Sequence, residues 1–171
     1  VVETSDFKID ELAGHVSTKD GTVSIAYVTA KKGAKEPFLT VKYDEWLCVR
    51  KGKMILSFFD DNNEKLQQIE VNPGQTAHLK PNTRFQPSFS EDTEYIPVCL
   101  PAFCPDLCIR EDIDTEGKEV AEKLEVLHKT NNDSCATEIS PEVLYHMTTV
   151  VEWEKAKKDF VYYPKTYVED G

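Results

Sequence analysis

The sequence predicts an all-β domain, a sandwich or barrel, followed by a short helical extension. Runs rich in β-branched and aromatic residues recur between residues 23 and 100, and Gly, Pro, Asn or Asp turns separate them. Short strands at this regular spacing are typical of a β-sandwich or barrel. Beyond residue 101 the pattern changes, and Val120, Leu124 and Leu127 recur at helical spacing among charged residues. This spacing predicts an amphipathic helix over residues 117–129.

The turn signals set the order of the predicted strands. A Lys-Gly pair at 51–52 predicts a tight hairpin turn, and the Asp- and Asn-rich residues 60–63 and the Asn-Pro-Gly residues 72–74 predict two more. Strands are therefore expected at residues 23–30, 38–42, 46–50, 54–59, 66–71, 76–79, 84–89 and 94–100.

We expect the chain to have four parts. Residues 1–19 are an N-terminal arm with one short amphipathic turn, and residues 20–112 are the barrel. Residues 113–139 hold the helix and a polar linker. Residues 140–171 are either a C-terminal extension or a truncated second domain. A chain of 171 residues is long enough for one domain with a core plus an appendage.

Composition and charge limit the partners and the location. The net charge is −11, which argues against nucleic acid or an anionic membrane as a partner, because both require a basic surface. No apolar run has transmembrane length and no signal peptide is recognisable. We therefore predict a cytoplasmic protein.

The five cysteines are predicted to be free thiols. Their number is odd, which is typical of a reducing compartment. Cys104 and Cys108 are separated by three residues, which is not the usual zinc spacing, and no second pair follows them. Cys48 and Cys99 lie in apolar strand patterns and are interpreted as small core residues.

The central stretch carries a spaced motif with two substitutions. Gly33, Leu39, Val41, Glu45 and Gly52 follow the spacing G-x5-H-x-H-x3-E-x6-G. This resembles the first cupin motif, with both glycines and the Glu in register and both His replaced. The resemblance implies a cupin jelly-roll barrel, a double-stranded β-helix, over residues 20–112.

A second stretch resembles the second cupin motif, G-x5-P-x-G-x2-H-x3-N. Gly74 and Pro81 fit with one extra residue between them, and Thr83, Gln86 and Ser90 stand at the Gly, His and Asn positions. Three of the four usual metal ligands are thus replaced. Because one carboxylate cannot hold a transition metal alone, we expect neither a metal nor another cofactor.

Further residues resemble the ethanolamine-utilisation protein Q group of small cupins. They are the Tyr-Asp-Glu triplet at 43–45, Val49 with Gly52, the segment 74–81, and a closing Tyr95, Val98, Pro101 and Ala102. The resemblance implies a barrel without paired metal histidines, and it includes one member described as an acetate kinase. Cupins commonly pair edge to edge, so it also implies a homodimer.

The C-terminal residues resemble the start of a small domain family of unknown function. Tyr145, His146, the Thr pair at 148–149, Trp153 and Ala156 match its opening pattern. The structural alternative is a strand and helix packed on the barrel.

Glu45 is the first candidate site residue. Leu47 and Val49 share its strand face, so its carboxylate is expected to lie among apolar neighbours inside the barrel. Without a metal it must be hydrogen-bonded or protonated. We expect a pocket acid, base or ligand anchor, with Tyr43 beside it as a second catalytic candidate. The alternative is a structural carboxylate paired with Arg84, Arg50 or a Tyr.

The remaining candidates are assigned to ligand binding. Gln86 is expected to face Glu45 across the pocket, and Trp46 to line its mouth. His78 is the lone barrel histidine and Arg84 a possible cation for Glu45. Lone histidines are more often structural than functional, and His15 and His128 are interpreted as surface residues.

Two functions follow from these observations. The first is a small-molecule-binding or structural and interaction module that lacks metal. The second is a metal-independent enzyme acting on a small carboxylate or phosphorylated metabolite, in which Glu45 and Tyr43 are catalytic. Electron density beside Glu45 would distinguish a bound metabolite from a plug of side chains.

Overall fold

The computed structural model describes residues 1–59, 66–111 and 117–130, and the residues that resemble a second domain lie outside these ranges. Within them the chain forms eleven strands, one short 3-10 turn and one helix. The strands are β1 (Val2–Glu3), β2 (Phe7–Ala13), β3 (Ser24–Ala30), β4 (Leu39–Val41), β5 (Asp44–Lys51), β6 (Met54–Phe59), β7 (Leu66–Val71), β8 (Thr76–Leu79), β9 (Arg84–Phe89), β10 (Thr93–Leu100) and β11 (Cys108–Arg110).

The described strands form two antiparallel sheets. The larger has the order β1-β2-β3-β10-β5-β8, and the smaller has the order β11-β4-β9-β6-β7. Every strand from β3 to β10 lies within two residues of the bounds expected from the turn signals. The all-β jelly-roll prediction is therefore confirmed.

Side-chain alternation decides which residues face the interior. On β5, Leu47 and Val49 are buried, whereas Arg50 on the opposite face is exposed. On β9, the interior positions are Phe85 and Phe89 with Pro87 between them. Since successive side chains of a strand point to opposite faces, these two strands fix the inner wall of both sheets.

The ends of the barrel contain structure that the sequence did not indicate. The predicted arm holds β1 and β2, and β2 pairs with β3 from Phe7 to Ala13 in the larger sheet. The irregular segment after Pro101 forms a 3-10 turn at Pro105–Leu107 and then β11. Strand β11 extends the smaller sheet by pairing with β4.

Helix α1 (Lys118–Thr130) is amphipathic, as its spacing predicts. It buries Val120, Ala121, Leu124 and His128, and Glu119 pairs with Lys123 one turn later. Acidic Glu119 lies in the first turn and basic Lys129 in the last, which suits the helix dipole. In the described part of the chain, no helix is long and apolar enough to cross a membrane.

The prediction of five free thiols is wrong for Cys104. Cys48, Cys99 and Cys108 are free thiols, but Cys104 is disulfide-bonded. Its nearest candidate in sequence, Cys108, is therefore not its partner. The prediction failed because an odd number of cysteines shows only that at least one thiol is free. Five cysteines can still form one disulfide.

The β5–β6 hairpin depends on Gly52, and its substitution is expected to be costly. Gly52 has a φ of +73°, and a Cβ there would overlap the Asp92 carbonyl oxygen and Thr93. Gly74 has a similar φ of +83° with nothing within 4 Å of a Cβ. Gly74→Ala should cost about 1 kcal/mol through backbone strain alone, and Gly52→Ala clearly more. Urea denaturation measures both free energies of unfolding, and equal losses would contradict the steric argument.

Candidate functional site

A cavity of about 110 Å³ lies between the two sheets. Most of its wall is apolar and comes from interior positions of the strands. Helix α1 and the first two residues of the chain line one side of it. The apolar wall residues include Ile9, Ala26, Val28, Leu39, Val41, Leu47, Met54, Phe85 and Pro87, with Leu124 and Leu127 from the helix. This volume exceeds that of a single water site several-fold.

Glu45 places a carboxyl group in this apolar wall. It lies on β5 next to the buried Leu47 on the same strand face, and it is one of the residues that line the cavity. Its only hydrogen-bond contact in the described residues is with the Cys99 thiol, whose Sγ donates to Oε1 at 3.8 Å. A thiol is a weak donor, so the carboxylate form has little compensation for its lost hydration.

This environment raises the pKa of Glu45 to about 7. Burial is the largest cause, because it disfavours the charged form. The negative charge of Glu36 raises the pKa further, whereas Arg110 and the Cys99 thiol oppose the shift. Glu45 is therefore poised to change its charge near neutral pH.

Glu36 and Arg110 form an ion pair at the same cavity. Arg110 Nη2 lies 3.5 Å from Glu36 Oε2, and the two side chains are only 9% and 14% exposed. The backbone of Glu36 is held by its N–H, which donates to Pro87, and by its carbonyl, which accepts from Gln86 Nε2 at 2.9 Å. Arg110 is positioned by the pairing of β11 with Leu39 of β4.

Arg110 keeps one donor without an acceptor. Its Nε is buried and has no hydrogen-bond partner among the residues that the structure describes. A buried unsatisfied donor costs on the order of 1–3 kcal/mol, and more when it belongs to a charged group. Because this nitrogen has almost no accessible surface, it is covered by protein atoms and does not face the cavity.

The other polar groups of the wall are weak acids. Burial raises the pKa values of the Tyr43 and Tyr95 phenols well above their ordinary value. Burial also raises the pKa of Cys99, and that of Cys108 to about 11. All four groups are thus neutral at physiological pH and can act as hydrogen-bond donors.

The structure does not bring Gln86 or Arg84 to Glu45. Both lie on the outer face of β9, since Phe85 and Pro87 take the interior positions. Arg84 makes two hydrogen bonds of 2.7 Å to Glu111 and lies over the rings of Phe38 and Phe59. The expected contact of Gln86 with Glu45 across the pocket is therefore wrong.

Trp46 and His78 also lie away from the cavity. Their residues pair across β5 and β8 on the face opposite Glu45, and their rings stack at 4.6 Å with an interplanar angle of 2°. His78 Nε2 is 2.7 Å from Asp44 Oδ1. Trp46, His78 and Asp44 thus contact one another outside the cavity. The position of Trp46 and His78 gives no support to their assignment to ligand binding. Of the predicted site residues, only Glu45 and Tyr43 line the cavity.

The residues present do not fit a metal ion. Leu39 and Val41 line the cavity without donor atoms, and Gln86 faces outward. Nowhere in residues 1–59, 66–111 and 117–130 do three His, Cys, Asp or Glu side chains converge in a way that could hold a metal ion. We therefore derive no chemistry through a metal.

His15 and His128 were expected at the surface, and both are buried. Their rings approach edge to face at 6.2 Å, and the Phe103 ring lies 5.5 Å from His128. His128 also lines the cavity from helix α1. For His128 the signal was present in the sequence, because this residue follows Leu124 by four positions and so shares the apolar face of the helix.

Two main site residues, Glu36 and Arg110, were missed from the sequence. Glu36 precedes Pro37 in a loop, and Arg110 ends a three-residue strand too short to show a period of two. Their ion pair spans 74 residues. A buried charge of this kind leaves no local signal.

Taken together, the two antiparallel sheets enclose the cavity of a jelly-roll barrel, and the described chain has the cupin fold. No family model and no curated protein matches the sequence. Solved structures do. A variant of Bacillus subtilis oxalate decarboxylase aligns with 70% of this chain at a TM-score of 0.56 and 13% identity, and the alignment covers 33% of that protein.

Smaller proteins align over less of this chain. A cupin superfamily protein from Desulfitobacterium hafniense matches 58% of the chain and 82% of its own, at 13% identity and a TM-score of 0.48. The EutQ protein of Clostridium difficile matches 57% and 70%, at 18% identity and a TM-score of 0.45. These likenesses concern the fold alone.

The raised pKa of Glu45 has a consequence for stability. Because the folded value of about 7 exceeds the unfolded value, the contribution of Glu45 is full below about 4.3 and is lost as pH rises through 7. Glu45→Gln should therefore become more stable relative to the parent chain by about 2–3 kcal/mol between pH 4 and pH 8. Urea denaturation at both pH values measures this difference.

The matched control for this experiment is Glu111→Gln. The pKa of Glu111 is lowered, with its hydrogen bond to Arg84 as the largest cause, so its stabilising effect is present at neutral pH and lost on acidification. The Glu111 variant should therefore lose more stability at pH 8 than at pH 4, the opposite trend from the Glu45 variant. A Glu45 variant that behaves in the same way would show that Glu45 is ionised and stabilising.

Proposed function

We propose that this cupin-fold domain binds a small organic molecule in its cavity without a metal ion. The observation that carries the proposal is the Glu45 carboxyl group, which lies in the wall of the cavity and has only the weak Cys99 thiol as a hydrogen-bond partner among the described residues. Natural proteins rarely leave such a group unsatisfied unless a ligand or water completes it. An apolar cavity with a few convergent polar groups is the usual form of a ligand site.

The cavity also favours binding over a purely structural role. A structural or interaction module would be expected to fill the space between the sheets with side chains, since cores are close-packed. Here Glu45 and Arg110 border a space whose volume of about 110 Å³ is large enough for several waters or a small ligand. Their burial is costly, and a ligand that pairs with them would offset part of that cost.

A metal-independent enzyme is the second candidate. Glu45 has a pKa of about 7, which suits a general acid or base at neutral pH. Tyr43 lies in the same wall and is a neutral donor. The substrates expected from the sequence are a small carboxylate or a phosphorylated metabolite. The anionic group of such a substrate would pair with Arg110.

Two accompanying features stay predictions. The net charge of −11 suits a protein that avoids nucleic acid and anionic membranes, and the cytoplasmic location stays a prediction that the Cys104 disulfide does not favour. A homodimer would have an available edge in β7, where five of six residues are exposed.

The binding proposal is tested with a cavity-filling variant. Ala26 lines the cavity from β3, and Thr29 lies on the outer face of the same strand. A thermal-shift screen of small metabolites should find compounds that raise the Tm of the parent chain and of Thr29→Leu but not of Ala26→Leu. Stabilisation follows RT ln(1 + [L]/Kd), so a compound at 100 times its Kd gives about 2.7 kcal/mol.

The same screen separates the two functions. Consumption of a bound compound that stops in Glu45→Gln while binding continues would favour the enzyme. A parent chain that no compound stabilises more than Ala26→Leu would refute binding.

The metal-free part of the proposal has its own test. Protein purified without a tag or chelator should contain well under 0.1 equivalents of Fe, Ni, Mn or Zn, about the background of adventitious binding, because one carboxylate supplies too few ligands. Elemental analysis provides the measurement. Near-stoichiometric metal that disappears in Glu45→Ala would overturn this prediction.

A further inference from the structure

The cavity wall holds more negative charge than its one guanidinium neutralises. Glu36 and Glu45 both line the cavity, and Arg110 is the only Lys or Arg side chain of the described residues that does so. Arg110 meets Glu36 in a single contact of 3.5 Å, which is long for a hydrogen bond, and no ion pair joins it to Glu45 among these residues. Outside the cavity, by comparison, Arg84 holds Glu111 with two hydrogen bonds of 2.7 Å.

The field at Glu45 has the same sign as this excess. The charge of Glu36 raises the pKa of Glu45 by more than the charge of Arg110 lowers it. The ion pair therefore presents its negative end to Glu45. When Glu45 is ionised, the three groups together carry one uncompensated negative charge, and the proton that Glu45 binds near neutral pH removes it.

Glu45 also has an oxygen that a ligand can reach. Its Oε1 accepts from the Cys99 thiol at 3.8 Å, and its Oε2 has no donor among the described residues. Unlike Arg110 Nε, this Oε2 is not sealed by protein atoms. Because a thiol is a weak donor, both oxygens of the carboxylate can accept further hydrogen bonds.

Three kinds of ligand differ in what they bring to this carboxyl group. An anion adds to the excess of negative charge. A neutral alcohol or amide leaves the proton on Glu45 and gains nothing from the negative field. A cation takes the place of the proton, so the net charge is again balanced, and it also gains from the negative end of the Glu36–Arg110 pair. The field, rather than the net charge, thus favours a cation over a neutral ligand.

The rest of the wall decides which cation fits. No three metal-ligating side chains converge anywhere in the part of the chain that the structure describes, and the wall includes the aliphatic Leu39, Val41 and Leu47. We propose that the cavity binds a small aliphatic amine, whose ammonium group donates to the Glu45 carboxylate and whose hydrocarbon part packs on this wall. The inference rests on the proposed binding function and names its ligand class.

The other titratable groups of the wall do not supply the missing cation. Glu11 is acidic, and its Oε1 accepts hydrogen bonds from the backbone of Val16 and Ser17 and from the Ser17 hydroxyl. The phenols and thiols are neutral at physiological pH. The titratable and charged side chains that line the cavity with Glu45 are Glu11, Glu36, Tyr43, Tyr95, Cys99, Cys108, Arg110 and, from helix α1, His128.

Exchange of the Glu45 proton for an ammonium group has a pH signature. An alkylamine stays protonated at pH 8, as a Lys side chain does, so the titrating group is Glu45 with its pKa of about 7. Glu45 holds about 0.9 proton at pH 6 and about 0.1 at pH 8. Amine binding should release these amounts, and its affinity should rise about tenfold from pH 6 to pH 8. A neutral ligand should release no proton.

The experiment uses three probes with the same branched hydrocarbon on the full chain: 2-methylpropylamine, 2-methylpropan-1-ol and 2-methylpropanoate. Isothermal titration calorimetry at pH 6 and pH 8, in two buffers of different ionisation enthalpy, measures both affinity and proton release. The amine should bind at least about tenfold more tightly than either analogue at pH 8. Proton release by the parent chain tests the contact with Glu45 without any substitution.

Glu45→Gln tests the same contact by substitution, because the amide keeps the shape of the side chain and cannot ionise. It should abolish the proton release at pH 6 and lower the affinity for the amine about tenfold or more at pH 8. Glu70→Gln is the control, since Glu70 is a carboxylate that pairs with Lys53 outside the cavity, and it should bind the amine as the parent chain does.

The outcomes separate this inference from the proposed function. Amine binding without proton release at pH 6, or no tighter than that of the alcohol at pH 8, would overturn the ammonium contact and leave the binding function intact. If the amine fails while another compound binds in an Ala26→Leu-sensitive manner, the amine class is wrong. No binding by the three probes or by any compound of the thermal-shift screen refutes both.

Discussion

The buried ion pair between Glu36 and Arg110 is the interaction on which the arrangement of the cavity depends. It joins the loop before β4 to the terminal strand β11, and the backbone of Glu36 is tied to β9 through Pro87 and Gln86. Removing either charge would leave the other buried and unpaired, at a cost of about 3–5 kcal/mol. The pair therefore constrains three segments of the smaller sheet and sets the electrostatic field that Glu45 experiences.

Besides the charges of Glu36 and Arg110, Glu45 experiences the low polarity of the barrel interior. Glu45 is neutral or charged according to a balance among burial, the repulsion from Glu36 and the attraction of Arg110. A small change, such as the entry of a charged ligand, is enough to shift the balance near neutral pH. Leu39 and Val41 bring no donor atoms to the cavity, so its polar centre is formed by Glu45 with Glu36 and Arg110.

The sequence was sufficient for strands β3 to β10 and for the position of Glu45 on the inner face. Turn residues such as Gly52 and Gly74 set the strand order, and Leu47 and Val49 placed Glu45 on the inner face. It failed at Gln86, because the extra residue between Gly74 and Pro81 shifts the motif by one position, and a shift of one reverses the face of a strand. The sequence also missed the Glu36–Arg110 ion pair. This pair joins residues that are far apart in the chain, and no local pattern relates them.

Helix α1 contributes Leu124 and Leu127 to the cavity wall, although most of the cavity belongs to the barrel. A ligand that contacts these leucines binds the docked state of the helix more tightly than an undocked state. By linkage, occupancy must then strengthen helix docking by the same free energy that the helix adds to binding. The amide hydrogens of Lys118–Thr130 thus become a reporter of ligand occupancy, and their exchange should slow when the cavity is filled.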